Sequence, residues 1–184
     1  DLVRAMHQGA DRSLELLQFI LDMDAVEDGG SRWAREEFDI ARALKSVIDQ
    51  VELSADLKGI TLRYTGNYEE KMWNFSRAAF ERVIENLLSN AVKYGPPGSE
   101  IDVSLHAFGA GLKVTVADQG PGIDPAEAPK LFQKYETLST KATGGEDSTG
   151  LGLYLAQRIA SRSGGSIRYE PNPAGGSMFH FQFV

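Results

Sequence analysis

Residues 76–98 read SRAAFERVIENLLSNAVKYGPPG, and the periodicity of this stretch sets the frame for the rest of the chain. Phe80, Val83, Ile84, Leu87, Leu88 and Ala91 recur three or four apart, which predicts one apolar face of a helix. Ser76 is a good N-cap, and Gly95-Pro96-Pro97-Gly98 breaks the helix just after Tyr94. Asn86, Asn90 and Lys93 fall four and three apart, so they share a polar face of the same helix. Asparagine is a mediocre helix former, and two of them one turn apart in a helix centre call for a reason. A carboxamide oxygen is a hard, neutral donor suited to Mg²⁺, and Lys93 is a point charge for a phosphate. Taken alone, the same face also fits an ordinary solvated helix surface.

Upstream, Arg32–Phe38 reads as a short strand. Asp39 caps a helix from Ile40 to about Leu57, stopped by Gly59. Ile60, Leu62 and Tyr64 alternate as a half-buried strand, and a second short strand near Met72–Phe75 leads into Ser76. Downstream, Ile101–Ala107 and Leu112–Ala117 form a hairpin around Gly109-Ala110-Gly111. A polar stretch from Asp118 to Thr149 precedes a helix from Leu151 to about Ser163, closed by Gly164-Gly165, and strands Ser166–Glu170 and Met178–Val184. Strands with helices packed on one side predict an α+β fold, a two-layer sandwich with a mainly antiparallel mixed sheet.

Residues 2–27 carry Val3, Met6, Ala10, Leu14, Leu17 and Leu21 as a stripe on one long helix, widened by Phe19 and Ile20 and ended by Asp28-Gly29-Gly30. Such a stripe requires other helices, so a bundle partner is expected from upstream sequence or a second copy. The chain opens inside this helix and is read as a fragment, divided into 1–30 and 31–184.

The 184 residues, 42 % hydrophobic and 24 % charged, suffice for a real core. A net charge of −7 argues against a broad nucleic-acid footprint. The absence of cysteine excludes disulfides, a thiolate zinc site and a cysteine nucleophile, and three scattered histidines make no metal cluster. No apolar run approaches the roughly 18 residues of a membrane span, and no signal peptide opens the chain; the expected location is cytoplasmic, with a membrane anchor left open for the full-length protein.

Two further constellations follow the asparagine helix. Asp118-Gln119-Gly120-Pro121-Gly122-Ile123 ends a strand with glycines that admit close backbone approach, and the Asp118 carboxylate suits the amino hydrogens of adenine. Ordinary turn chemistry favours the same residues. Ser148-Thr149-Gly150-Leu151-Gly152-Leu153 enters a helix through a Gly-rich turn, a place for anions at the positive end of the dipole. It lacks the Lys-Ser/Thr of a P-loop and the third glycine of a dinucleotide fingerprint; the plain alternative is a helix start capped by Thr149.

In this fixed order the three resemble the ATP-binding domain of sensor histidine kinases, in the GHKL superfamily with gyrase, heat-shock chaperone and mismatch-repair ATPases. The resemblance runs from about residue 32 to 184. Asn86–Tyr94 is similar to the N box, Asp118–Ile123 to the G1 box, Leu131–Tyr135 to the F box, Thr149–Leu153 to the G2 box and Gly175–Phe179 to the closing glycine-rich strand. It implies ATP and Mg²⁺ as cofactors. Asn90 would ligate the metal and Asn86 assist it or the γ-phosphate, with Lys93 on phosphate and Tyr94 against ribose or base. Asp118 would hold adenine, with Gly120, Gly122 and Ile123 shaping the pocket and Ser177 reaching the base through water. Thr149, Gly150, Leu151, Gly152 and Leu153 would serve the phosphates. Residues 133–149 would be a lid hinged at Gly144-Gly145.

Gyrase-type members carry a glutamate where this chain has Asn86, which cannot take a proton; the resemblance therefore implies phosphoryl transfer to protein rather than to water. The F box departs from the family pattern. Tyr135-Glu136-Thr137 stands where an arginine is usual, leaving Lys134 or Lys141 as substitutes beside Tyr135. Residues 2–27 resemble the second helix of the dimerisation hairpin, whose first helix bears the acceptor histidine. His7 lacks the acidic residue and proline of that motif and is read as a bundle-surface residue. Implied partners are the chain's own acceptor helix in a homodimer and a response-regulator receiver domain. The alternatives are a pseudokinase or docking module with a vestigial pocket and, last, a stand-alone ATPase.

Overall fold

A computed structural model describes residues 2–27, 31–66, 71–140, 142–143 and 149–184. Three expectations, the helix stop at 28–30, Lys141 and the Gly144-Gly145 hinge, fall outside these residues, as does the side chain of His7. The elements are α1 (Leu2–Glu27), β1 (Glu36–Asp39), α2 (Ile40–Leu57), β2 (Thr61–Thr65), β3 (Met72–Phe75), α3 (Arg77–Tyr94), β4 (Glu100–Phe108), β5 (Gly111–Asp118), α4 (Gly152–Arg162), β6 (Gly165–Pro171) and β7 (Ser177–Phe183). A five-stranded sheet runs in the order β2-β4-β5-β7-β6, with β2 parallel to β4 and every other pair antiparallel. β1 and β3 form a separate antiparallel ribbon. The two-layer α+β architecture is the expected one.

Alternation along the strands explains the layering. Ile101, Val103 and Leu105 of β4, Leu112, Val114 and Val116 of β5, and Phe179, Phe181 and Phe183 of β7 are all buried. They meet the apolar face of α3, where Phe80 sits among aromatic neighbours. Its ring centroid lies 5.7 Å from Phe183 and 6.2 Å from Phe181, and Phe75 closes the group at 4.9 Å from Phe183.

Capping decides where the helices begin. Ser76 Oγ accepts the Ala79 N–H at 3.2 Å, starting α3. At its far end the orphan carbonyls of Val92 and Lys93 accept from Lys58 Nζ at 2.8 and 2.7 Å. Asp39 Oδ1 accepts from Ala41 and Arg42 N–H at 3.1 and 3.2 Å, and from Lys71 N–H at 3.3 Å. Burial alone would raise the Asp39 pKa, but these backbone donors win and lower it. Because the folded pKa is depressed, the stability this cap supplies is present above the ordinary carboxylate pKa. It is lost as pH falls through the lower folded value. Asp39→Ala should therefore cost about 1 kcal/mol at neutral pH and much less in strong acid, read by urea denaturation at the two pH values.

The sequence places a strand at Arg32–Phe38; instead residues Ser31–Trp33 form a 3₁₀ turn and only Glu36–Asp39 extend. The cause is tertiary. Arg32 turns back to Asp22 of α1 at 2.8 Å, and Trp33 is buried beneath.

The long helix divides its faces. Met6, Leu14, Leu17, Ile20 and Leu21, most of the predicted stripe, stay exposed. A different side, Phe19, Asp22 and Val26, is buried in contact with α4 and the 31–33 turn.

Candidate active site

A cavity of about 370 Å³ opens between α3, the end of β5, the start of α4 and the segment 131–140. From α3 it receives Asn86, Asn90, Lys93 and Tyr94; from the β5 end, Asp118, Gly122 and Ile123; from β7, Ser177. Thr149, Gly150, Leu151, Gly152 and Leu153 line it at the start of α4. Three predicted residues stand elsewhere. Gly120 faces the neighbouring groove with Pro96, Gln119 and Thr143. Its missing side chain still matters, since a Cβ there would lie 2.9 Å from Asp118 Oδ1. Lys134 and Tyr135 leave the cavity altogether. The Lys134 ammonium lies 5.6 Å from the Phe19 ring and 4.9 Å from that of Tyr135, a cation–π seat. Tyr135 is itself exposed, with φ of 63°.

The Asp118 carboxyl is 5 % exposed. Its Oδ1 accepts N–H from Gly120 at 2.8 Å and Ser177 at 3.2 Å, while its backbone oxygen accepts Asn172 Nδ2 at 2.8 Å. One carboxylate oxygen is thereby fixed and the other left for a ligand. Burial raises its pKa, and the two N–H donors offset part of that.

At the opposite end, Asn86 donates Nδ2 to the Arg82 carbonyl at 2.8 Å, so its Oδ1 points across to α4. A Cβ on Gly152 would lie 3.2 Å from that oxygen and 4.0 Å from Asn90 Nδ2. The absence of a side chain lets the helix start approach both carboxamides. Helix α4 begins after Leu151 with no side-chain cap, so Thr149 is not the cap and lines the cavity instead. Uncapped N–H groups at a helix start suit an anion.

Ser139, Thr140 and Thr143 are held on this side of the cavity by hydrogen bonds. Ser139 Oγ donates to Glu127 at 2.6 Å and Thr140 Oγ1 to the Gly122 carbonyl at 3.2 Å. Thr143 Oγ1 donates to the Gly95 carbonyl at 2.7 Å.

Sequence reasoning missed several lining residues. Arg82 lies one turn before Asn86, so its place on the same face was legible from spacing. Glu85 lies about 100° round the helix from Asn86 and also lines the wall, where Arg82 holds its carboxylate at 2.7 Å. Glu81 pairs with Arg77 instead. Leu138 supplies apolar wall that no local pattern marked, Phe19 of α1 does so where the sequence reads a bundle stripe, and Leu131 and Phe179 do so from the stretches that resemble the F box and the closing strand.

With this geometry, comparison with known proteins gives one answer. Residues 76–184 match the family described as histidine kinase-, DNA gyrase B- and HSP90-like ATPase. The chain belongs to this family. Within it, the chain is an ATP-binding catalytic domain of the sensor histidine kinase type, as its relatives indicate. It is 30 % identical over 175 residues to the histidine protein kinase DivJ of Caulobacter vibrioides, covering 94 % of this chain and 29 % of that protein. It is 30 % identical over 170 residues to the sensor protein KdpD of Escherichia coli, covering 89 % of this chain and 18 % of KdpD. The chain thus spans less than a third of these relatives. Among solved structures, histidine kinase AdeS of Acinetobacter baumannii superposes with a TM-score of 0.78 at 21 % identity, over 100 % of this chain and 83 % of that one. Full-length ShkA in complex with AMPPNP gives 0.79 at 22 %, over 98 % and 37 %. These likenesses bear on the fold of the ATPase domain.

Proposed function

We propose that this chain is the catalytic part of a two-component sensor kinase, which transfers the γ-phosphate of ATP to a histidine on a helix outside the chain. The phosphoryl group then passes to an aspartate of a response regulator. The observation that carries the reading is the polarity of one cavity, with the Asp118 carboxylate at one end and two carboxamides beside an uncapped helix start at the other. Asp118 accepts the exocyclic amine of adenine, and burial in an apolar wall strengthens that bond. Asn90, with Asn86, fits Mg²⁺ through neutral oxygens, and the cation would neutralise phosphate charge when bound. Lys93 and the N–H groups after Leu151 hold phosphate oxygens, which positions the donor. Neither asparagine can deprotonate water, and Arg82 occupies the charge of Glu85, so protein transfer is favoured over hydrolysis.

Residues 1–30 are assigned to the dimerisation bundle and 31–184 to the catalytic domain. The exposed Met6, Leu14, Leu17 and Leu21 supply an apolar face for a second copy and for the acceptor helix. No described helix is long and apolar enough to cross a membrane; use of ATP as the phosphoryl donor supports a cytoplasmic location for this part, whether or not the full-length protein is membrane-anchored. Without an acceptor, the fragment does not autophosphorylate.

Titration calorimetry tests the site. Asp118→Asn should weaken ATP about 10- to 100-fold, the worth of a hydrogen bond to a buried charge. Asn90→Ala should remove most of the gain that Mg²⁺ gives to affinity. Wild-type affinity should also fall with acid at a pH above the ordinary carboxylate range, since the bond needs ionised Asp118 and its pKa is raised. Radiolabel should pass from ATP to an added protein that presents the acceptor helix. Unchanged affinity in both variants refutes the site, and tight binding without transfer refutes the kinase assignment.

A further inference from the structure

Among the described residues that line the cavity, two carry positive charge, Lys93 and Arg82. The nucleotide reading gives Lys93 to phosphate, whereas Arg82 is taken up by carboxylates. Arg82 stands one turn before Asn86 on α3, so it lines the end of the cavity to which the triphosphate is assigned. Its Nε meets Asp22 Oδ2 at 2.8 Å, and its Nη1 meets Glu85 Oε2 at 2.7 Å. The two partners differ in kind. Glu85 is a neighbour on the same helix with its side chain 48 % exposed, while Asp22 is fully buried and arrives only with α1. The same helix brings a second group to this end. Phe19, three residues before Asp22, lines the cavity too, with its ring centroid 6.5 Å from that of Tyr154 on α4 and the Lys134 ammonium 5.6 Å away.

We infer that Arg82 is a ligand for the terminal phosphate of ATP that docked α1 withholds: Asp22 occupies the Nε edge of the guanidinium, and departure of α1 turns that edge to the phosphate. The inference rests on the nucleotide reading above and adds a residue and a control to it. With α1 seated, Asp22 lies between Arg32 and Arg82, and the two carboxylates of Asp22 and Glu85 balance the two guanidinium groups. Arg82 then has no uncompensated charge to offer an anion. Without Asp22 it faces one exposed carboxylate three residues on, a pairing of small worth. A guanidinium binds phosphate through two parallel N–H donors, and Nε with Nη2 forms such a pair. Nη1 can keep Glu85 meanwhile, so that carboxylate stays paired and hydrolysis stays disfavoured. Coupling of this kind is reciprocal. A terminal phosphate that draws Arg82 loosens the seat of α1, and an α1 that keeps Arg82 weakens ATP. ADP lacks that phosphate and is indifferent to both.

Calorimetry with ATP and with ADP, each in Mg²⁺, reads one direction of the coupling. Asp22→Asn keeps the side-chain volume and removes the charge. It should tighten ATP about five- to tenfold and change ADP less than about twofold. Adding Arg82→Met to Asp22→Asn should erase the gain. Equal changes for both nucleotides, no change for either, or a gain that survives Arg82→Met would each overturn the inference. The unsubstituted chain reads the other direction and needs no variant to fold. Saturating ATP should speed amide exchange across Leu17–Glu27 by a similar factor, and ADP should not. Exchange that ATP slows or leaves unchanged would also overturn the inference. Asp118→Asn keeps the two claims apart. If it weakens ATP while Asp22→Asn and the exchange of α1 ignore the terminal phosphate, only the role of Arg82 fails. If Asp118→Asn is itself without effect, the nucleotide site is misassigned and the inference falls with it.

Discussion

Asp22→Ala is expected to release α1 from the catalytic domain at a cost of about 3 kcal/mol, the low end for breaking a buried ion pair. Asp22 is 0 % exposed, in the middle of a helix side that packs on the domain. Its Oδ1 takes Arg32 at 2.8 Å and Gln18 Nε2 at 3.0 Å, and its Oδ2 takes Arg82 Nε at 2.8 Å. Without the carboxylate, Arg82 keeps Glu85 but loses its buried partner while 22 % exposed, and Arg32, at 42 %, escapes to water. The arginines' partial hydration keeps the cost from reaching the upper end. Faster amide exchange across Leu17–Glu27, with the sheet still protected, would be the signature. Asp22→Leu combined with Arg82→Met should recover much of the loss, because an apolar pair of similar volume carries no desolvation penalty. If Asp22→Ala leaves exchange in α1 unchanged, the charge network is not what seats the helix.

The same network touches the nucleotide site. Arg82 bridges Asp22 to the cavity-lining Glu85, and its carbonyl holds the Asn86 amide at 2.8 Å. The charge on α1 therefore meets the asparagine helix one turn from the proposed metal ligands.

How much of this was legible depended on whether a signal was local. Ser76, Asp39 and the Gly95-Pro96-Pro97 break act within a few residues, and the helices they bound match their predicted limits. The face shared by Asn86, Asn90 and Lys93 follows from helical geometry, and all three line one cavity. What depended on distant partners was hidden. The 31–33 turn forms because Arg32 meets a residue ten positions earlier, an interaction with no sequence period. Phe19 reads as a flank of the apolar stripe, yet it packs with Asp22 and Val26 on another side, and the aspartate disguises that side as solvent-facing. Lys134 reads as a phosphate ligand until the rings of Phe19 and Tyr135 are seen beneath it.

Gly176→Ala should abolish measurable ATP binding, a loss of more than about 100-fold, although residue 176 does not line the cavity. Gly176 adopts φ of 96°. A Cβ there would run into the Asp118 carbonyl and come within 2.7 Å of the Gly120 nitrogen. These are backbone atoms, with no rotamer to move aside. They flank the site's most constrained group, because Asp118 Oδ1 is held by the N–H groups of Gly120 and Ser177. Any shift that admits the methyl group pulls those donors apart and swings the carboxylate. Gly175 is the natural control. Its φ of 97° carries the same backbone strain, but a Cβ there meets nothing within 4 Å. Gly175→Ala should therefore cost stability of about 1–2 kcal/mol and leave ATP affinity within a few-fold. Calorimetry and thermal unfolding of the two variants side by side divide strain from collision. Equal loss of binding in both would mean that turn conformation alone governs the pocket, and the contact with Asp118 would lose its explanatory place.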